Sequence, residues 1–355
     1  MTGAAAKIVP VILAGGVGTR LWPASRRDSP KQYLALLGGD SLIKATYERI
    51  LPLAVDGQVY VVTVEGHASL VASQLPELAP ENIWCEPAGR NTGPSIAWAL
   101  HELQQRHAGE VAVFFPSDHV VADGEALRQA VTTLATAAGE TGQVGLLGVQ
   151  PERPETGYGY VEAGAAAPGK CRAVTRFLEK PDRATAEQLM ARDDMFWNSG
   201  IFAVPVDSGT ELVRAADQDL AEFLDGLPAP GTGRGPGDAR REQVISAFGR
   251  VTPTPFDIAV MEKTPHRLLM PLSAGWSDLG SWQAVWEEGD ADEDGNVVGP
   301  GGRVEESTGC LVTGDGRKIS ILGVRDLIVV AWGDSVLVCP RERAQDVRML
   351  AGSSK

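Results

Sequence analysis

Two short stretches near the start of the chain combine glycine with fixed positive charge: Gly15-Gly16-Val17-Gly18-Thr19-Arg20 and, shortly after, Pro30-Lys31-Gln32. They follow an apolar run, Ile8–Leu13, of the kind that forms a buried strand. Glycines directly after such a strand let backbone N–H groups approach phosphate oxygens closely, and Arg20 and Lys31 add charge to hold them. Leu13, Ala14, Gly15, Gly16, Gly18, Thr19, Arg20 and Lys31 are therefore the candidate phosphate cradle of a nucleotide site. Two familiar phosphate loops do not fit. A P-loop opening at Gly15 needs Gly-Lys-Ser/Thr where this chain has Arg20-Leu21-Trp22, and a dinucleotide fingerprint starting at Gly16 needs Gly or Ala in place of Leu21. A glycine-rich turn alone is equally an ordinary strand-to-loop turn; the two basic residues at this spacing decide for phosphate.

The elements that must position these residues are legible through roughly the first 150 positions. Ile8–Leu13, Val59–Thr63, Val111–Phe115 and Val144–Leu147 read as strands. Thr92–Gln105 places Ile96, Leu100 and Leu103 on one helical face, with Asn91 or Thr92 as N-cap, and Leu127–Ala138 also reads as a helix. Strands alternating with helices imply βαβ units, a mainly parallel sheet and ligands at the carboxyl ends of strands. Residues 151–288 are mixed, with short strands around Tyr158–Glu162 and Ala173–Glu179 and a Gly/Pro-rich surface loop at Gly226–Asp238. A second break at Gly289–Gly302 precedes closely spaced β-like runs, Gly309–Thr313, Lys318–Leu322, Leu327–Trp332 and Val336–Val338, and a helical tail, Arg341–Leu350. The expected domains are 1–288, a nucleotide-binding core, and 289–355, a small β-rich appendage.

Seven segments in one order along the chain carry a family resemblance. The first is Gly15–Arg20 with Leu21-Trp22-Pro23 and Pro30-Lys31-Gln32. Then come Glu86-Pro87-Ala88-Gly89-Arg90-Asn91-Thr92, Phe115-Pro116-Ser117-Asp118-His119 and Thr156-Gly157-Tyr158-Gly159-Tyr160. Phe177-Leu178-Glu179-Lys180-Pro181, Trp197-Asn198-Ser199-Gly200-Ile201-Phe202 and Trp276-Ser277-Asp278-Leu279-Gly280-Ser281-Trp282 complete the set. Together they resemble the nucleoside-diphosphate-sugar pyrophosphorylases, specifically the mannose-1-phosphate guanylyltransferases. The resemblance implies an α/β fold: a Rossmann-like nucleotidyltransferase core with a short C-terminal segment like a left-handed β-helix. It implies transfer of GMP from GTP to mannose 1-phosphate with release of pyrophosphate. It further implies Mg²⁺ on the carboxylates of Asp118 and Asp278, an ion that prefers oxygen ligands, so that Arg20, Lys31, Asp118 and Asp278 form the catalytic set.

Ser117, Asp118, Glu86, Asn91 and Thr92 join the nucleotide side of this expected site. Gly157, Tyr158, Gly159, Glu179, Lys180, Asn198 and Asp278 form the sugar-phosphate side. Lys180 offers a compact charge for the 1-phosphate, Glu179 accepts from sugar hydroxyls, and Asn198 supplies a donor and an acceptor together. Glu86 is the candidate reader of guanine, because a carboxylate accepts two parallel bonds from the N1–H and N2 amino donors. The alternatives for Glu86 are a solvated strand-end acid or a partner of Arg90. Rivals to the whole reading are a nucleotidyltransferase for another sugar, heptose or glucose, or another base, and a catalytically silent subunit that binds nucleotide sugar. A silent paralogue is expected to lose a phosphate or metal ligand, whereas Arg20, Lys31, Asp118, Lys180 and Asp278 are all present. Some family members carry a phosphomannose isomerase domain; residues 289–355 are too few for one, so a single activity is expected.

Bulk composition narrows the classes further. A formal net charge of −14 argues against a duplex nucleic-acid binder, although a few basic residues in one cleft suffice for a nucleotide. Cys85, Cys171, Cys310 and Cys339 show no metal or redox spacing and read as reduced core residues. The apolar run at Ile8–Ala14 is too short for a signal peptide and nothing approaches a membrane span, so a cytoplasmic protein, with homodimer formation through the appendage, is expected. Two further motifs look chemical but read as structural. Asp290-Ala291-Asp292-Glu293-Asp294-Gly295 opens like an EF-hand loop but lacks its closing Glu, Gly301 standing there. The Trp276, Trp282 and Trp286 cluster reads as packing under the Asp278 turn rather than as a sugar platform.

Overall fold

The computed structural model describes residues 5–16, 18–231 and 239–351. Part of the loop expected at Gly226–Asp238 lies outside these residues. The chain forms two compact units, and they do not follow a single cut. The first comprises residues up to Gly15, Tyr47–Pro116 and Val121–Trp276; the second comprises Gly16–Thr46, Ser117–Val120 and the chain from Ser277 onward.

The first unit is built on a nine-stranded sheet. Its strands are β1 (Ile8–Ala14), β2 (Tyr60–Val64), β3 (Ile83–Glu86), β4 (Val111–Pro116), β6 (Gly145–Val149), β7 (Tyr160–Ala166), β8 (Arg172–Leu178), β9 (Met195–Pro205) and β10 (Leu268–Leu272); the two-residue β5 (Val120–Val121) lies outside it. The order is β3-β2-β1-β4-β9-β6-β10-β8-β7. β1 is apolar along its whole length and buried along nearly all of it, as expected of a parallel strand covered on both faces. It pairs in parallel with β2 and β4, and β2 with β3. The register sets Leu13 opposite Pro116, so the segments leaving β1 at Gly15 and β4 at Ser117 start side by side at carboxyl ends.

The mainly parallel sheet is found only in this first half. β9 runs antiparallel to both β4 and β6, and β8 is antiparallel to β7 and β10, leaving β6–β10 the one parallel pair beyond β4. The physical reason is the eleven-residue β9, which returns through the middle of the sheet, covered on both faces and without polar–apolar alternation to announce it. The helix α3 (Thr92–Leu103), which follows α1 (Leu42–Ile50) and α2 (Ala68–Gln74) in the chain, begins at an Asn91 cap whose side chain accepts from the Thr92 N–H. Its residues Ile96, Leu100 and Leu103 are completely buried with Phe114, Phe202 and Phe256 in one core. α4 (Gly124–Thr141) is capped by Asp123, which accepts from the Ala126 N–H.

The second unit contains the β-rich end of the chain, and it is a small stack of parallel rungs. Val297 pairs with Leu311 and Leu311 with Ile328, while Gly302 pairs with Ile319, and Ser335–Pro340 closes the stack antiparallel to Leu327–Trp332. Its core joins residues from the stretch that follows Gly18 (Leu21, Ala24, Leu34, Leu36, Leu42) to Leu311, Ile328, Val330 and Leu337. Arg26 reinforces this: its guanidinium donates to the carbonyls of Pro23 and Trp332 and to the side chains of Asp334 and Ser335. Trp282 is fully buried in the same core, with its indole N–H donating to the Trp22 carbonyl at 2.9 Å. The Arg341 guanidinium lies 3.6 Å over the Trp286 ring, and Trp276, in the first unit, meets Tyr158 edge-on. Trp282 and Trp286 thus pack with Leu279 of the Asp278 turn, as the sequence suggested, whereas Trp276 packs on Tyr158 instead. The Asp292 carboxylate is engaged by the backbone of Asp294 and Asn296 and by the Asn296 side chain, which closes an acidic turn. Among the described residues no helix is long and apolar enough to cross a membrane.

Candidate functional site

In the second unit two residues distant in sequence, Asp118 and Asp278, converge on the Lys31 ammonium group. Gly18 adopts a left-handed backbone, φ +71°, and a Cβ there would lie 2.6 Å from the Lys31 Cβ, so only glycine lets the loop close on that lysine. Lys31 is 4% exposed. Its Nζ donates to Asp118 Oδ2 at 2.9 Å and to the backbone carbonyl of Asp278 at 2.5 Å. Burial alone would push the Asp118 carboxyl up, but the charges of Lys31 and His119 outweigh it and hold the carboxyl below the usual range. His119 Nε2 stands 4.0 Å from Asp118 Oδ1, which suits a positioning role. Asp278 Oδ1 accepts from the Gly280 N–H at 2.8 Å, and a Cβ at position 280 would come within 2.7 Å of Oδ2, so a larger residue there would displace the carboxylate. Arg20 is half-buried in the short helical turn Thr19–Leu21, and Ser117 is buried beside Asp118 in the chain. Two carboxylates of this kind are the hard oxygen donors that Mg²⁺ takes, so the donor set fits that ion.

In the first unit, the backbone of β1 ends on a Thr63 hydroxyl donating to the Ala14 carbonyl, and a Cβ on Gly15 would meet no protein atom within 4 Å. The expected sugar-side residues Gly157, Tyr158, Gly159, Glu179, Lys180 and Asn198 lie in this unit, whereas Asp278 belongs to the second. Lys180 N–H donates to the Tyr158 carbonyl, and Asn198 N–H donates to the Gly159 carbonyl at 2.8 Å. A Cβ on Gly159 would fall 2.7 Å from Glu179 Oε2, and the Gly157 N–H is held by Glu155. Lys180, with φ +45°, is exposed and its Nζ sits 2.7 Å from Glu179 Oε1. Sequence reasoning missed one member of this group. Asp257 accepts a hydrogen bond from Asn198 Nδ2 and lies near enough to Glu179 and Lys180 to feel both charges. The only trace of it in the sequence is an acid heading the apolar run Ile258–Met261; the pairing is long-range.

Glu86 ends β3, and it is not solvated: the side chain is 2% exposed and its Oε1 has no hydrogen-bond partner among the described residues. Nor does it pair with Arg90, whose guanidinium donates to the carbonyls of Phe248 and Gly249. Burial pushes the Glu86 carboxyl up to about 7, and a bond from Ser95 offsets this only in part. Asn91 caps α3, and the Thr92 hydroxyl accepts from the Phe256 N–H, which ties the turn after Glu86 to the segment before Asp257. A folded-state value raised from 4.5 to about 7 makes the Glu86 contribution to stability complete below pH 4.5 and lost as pH rises through 7. Glu86→Gln is therefore expected to be the more stable form at pH 8, by on the order of 3 kcal/mol, and nearly equal to the parent at about pH 4.5. Urea unfolding at both pH values measures this; a parent that is the more stable at pH 8 would show that the acid is ionised and compensated.

Residues 9–295 match the nucleotidyl transferase family model, and residues 304–352 match the MannoseP isomerase/GMP-like beta-helix domain. The alginate biosynthesis protein AlgA of Pseudomonas aeruginosa is 39% identical over 347 residues, covering 96% of this chain and 71% of that protein. A mannose-1-phosphate guanylyltransferase of Klebsiella pneumoniae is 36% identical over 352 residues, 96% of this chain and 72% of its own length. A crystal structure from Thermus thermophilus, described as a mannose-1-phosphate geranyltransferase, superposes with a TM-score of 0.86 at 32% identity over 98% of both chains.

Proposed function

The chain belongs to the nucleotidyl transferase family, among the mannose-1-phosphate guanylyltransferases, and on that premise we propose that it transfers GMP from GTP to α-D-mannose 1-phosphate. The observation that carries the choice of substrates is the near full-length identity to the Klebsiella pneumoniae enzyme, 36% over 96% of this chain. We place the reaction in the cytoplasm.

An oxygen of the sugar phosphate forms a bond to the α-phosphorus of GTP, and the bond from that phosphorus to the bridging oxygen breaks, so pyrophosphate leaves with the electron pair. The attacking oxygen is already ionised, and alignment and charge neutralisation therefore matter more than proton transfer. Lys31 and Arg20 neutralise the phosphates, and Lys31, pinned by Asp118 and the Asp278 carbonyl, does so from a fixed position. Asp118 and Asp278 would hold Mg²⁺, which would supply further positive charge to the phosphates. Lys180 pairs with the 1-phosphate, exchanging its Glu179 partner for the substrate. Glu86 is the proposed reader of guanine; its unpartnered Oε1 is buried, so the base meets it only when the turn after β3 opens.

Pyrophosphate release measured across GTP, ATP, UTP and dTTP against mannose and glucose 1-phosphate, with Mg²⁺ and with chelator, tests this reading. Preference for any other base or sugar would replace it with a sister activity of the family, and absence of turnover in every cell of the grid would leave a binding subunit. Lys180→Ala is expected to raise the KM for mannose 1-phosphate far more than that for GTP, by a loss of about 1.5–3 kcal/mol. Equal rises for both substrates would place Lys180 elsewhere.

A further inference from the structure

The Asn198 amide is held at both ends. Its Oδ1 accepts from the Gly200 N–H at 3.0 Å, and its Nδ2 donates to Asp257 Oδ1. This orientation leaves one amide N–H of Asn198 and the second carboxylate oxygen of Asp257 with no side-chain partner among the described residues. Both residues are partly exposed. Asp257 begins a π-helical turn, Asp257–Met261, and its carbonyl accepts from the Glu262 N–H; such turns are uncommon outside functional places. The turn is anchored behind by Ala259, Val260 and Met261, all buried. The presence of Asp257 is costly: desolvation first, then the nearby Glu179 carboxylate, raise its carboxyl to about 6, against which the Asn198 bond and the Lys180 charge work. A second acid placed against Glu179 has no stabilising purpose that the packing reveals, whereas two adjacent acceptors and a donor suit a polyol.

We infer that Asp257 is a sugar-recognition residue, which with Asn198 offers an acceptor and a donor side by side to neighbouring hydroxyls of the sugar 1-phosphate. This rests on the proposed activity and adds a residue to its sugar side. The hydroxyl bonds to Asp257 as donor and accepts from Asn198, a polarity that a carboxamide at position 257 cannot reproduce. An asparagine there can keep its carbonyl on Asn198 Nδ2, preserving the orientation of that amide, and then turns a donor outward in place of the acceptor. The substitution therefore separates recognition of the sugar from support of Asn198.

The test uses the full chain and whichever sugar 1-phosphate the substrate grid shows to be turned over best, so that a wrong assignment of the sugar does not disturb it. Asp257→Asn and Asp257→Ala are assayed for KM of both substrates, with thermal melting to confirm folding. Asp257→Asn is expected to raise the KM of the sugar 1-phosphate by on the order of tenfold or more and to leave that of the nucleotide unchanged. Deoxy analogues of the sugar 1-phosphate, tried in turn, should include one for which parent and Asp257→Asn differ little, which identifies the hydroxyl. If Asp257→Asn behaves as the parent while Asp257→Ala does not, the residue only supports Asn198 and the inference fails. It fails equally if both KM values rise together, or if every deoxy analogue shows the same ratio as the full sugar.

Discussion

Asp118→Asn and Asp278→Asn are each expected to lower turnover by on the order of 10²–10³-fold, because each removes a negative charge from the pair proposed to hold Mg²⁺. Their stabilities should part company, and the geometry says why. The Asp118 side chain is itself the ionic partner of a lysine that is 4% exposed, so Asp118→Asn leaves the Lys31 ammonium buried against a neutral amide. Removing one member of a buried pair costs about 3–5 kcal/mol, and the figure here should be nearer half that, because Asp118 is about a third open to solvent. Asp278 holds Lys31 through its backbone carbonyl, which substitution does not touch, and the carboxamide oxygen in Asp278→Asn can still accept from the Gly280 N–H. Single-turnover rates with Mg²⁺ and melting temperatures, measured together, check both halves. Substantial Mg²⁺-dependent turnover in either variant would remove that residue from the metal group. Equal melting points for the two variants would mean that the Lys31–Asp118 pair adds nothing to the fold. Lys31→Met in the Asp118→Asn background should recover stability and no activity, since the stranded charge is then gone.

Trp282→Ala carries the largest expected cost to the fold. The indole is fully buried among Leu21, Leu279, Leu311 and Ile328 and donates to the Trp22 carbonyl, so truncation opens a cavity and leaves that carbonyl without its donor. Losses of about 3–5 kcal/mol accompany such truncations. Because this core also carries the phosphate-loop stretch and the Asp278 turn, turnover should fall along with stability. Trp282→Phe, which fills most of the space and lacks the N–H, should recover the larger part of the loss. Urea unfolding followed by intrinsic fluorescence measures the series; a Trp282→Ala variant within about 1 kcal/mol of the parent would mean that the core collapses around the gap.

How much of this could be read from the residues alone depended on whether the physics was local. Glycines following the apolar run at Ile8–Ala14 announced a strand and an open loop, because both signals are complete within a dozen positions. So was the start of α3, where Asn91 stands before a helical face of Ile96, Leu100 and Leu103 and accepts from the Thr92 N–H. The rungs of the C-terminal stack appeared as closely spaced β-like runs for the same reason. The antiparallel half of the large sheet was not visible. β9 is apolar on both faces with Asn198-Ser199-Gly200 in its middle, a pattern that specifies burial but neither direction nor neighbour. The candidate residues divided in the same way. Lys31 was recognisable as a charge near a phosphate loop. That it is buried and pinned by Asp118 and the Asp278 carbonyl is a matter of contacts 87 and 247 positions apart. Glu86 read as a strand-end acid, and only packing shows it to be buried, unpartnered on one oxygen and pushed up to about 7. Asp257 showed locally only as an acid heading an apolar run, since its meaning comes from Asn198, 59 positions away. Periodicity, capping and turn chemistry are set by neighbours in the chain, which the sequence determines; desolvation and the partner of a buried charge are set by neighbours in space, which only the tertiary structure decides.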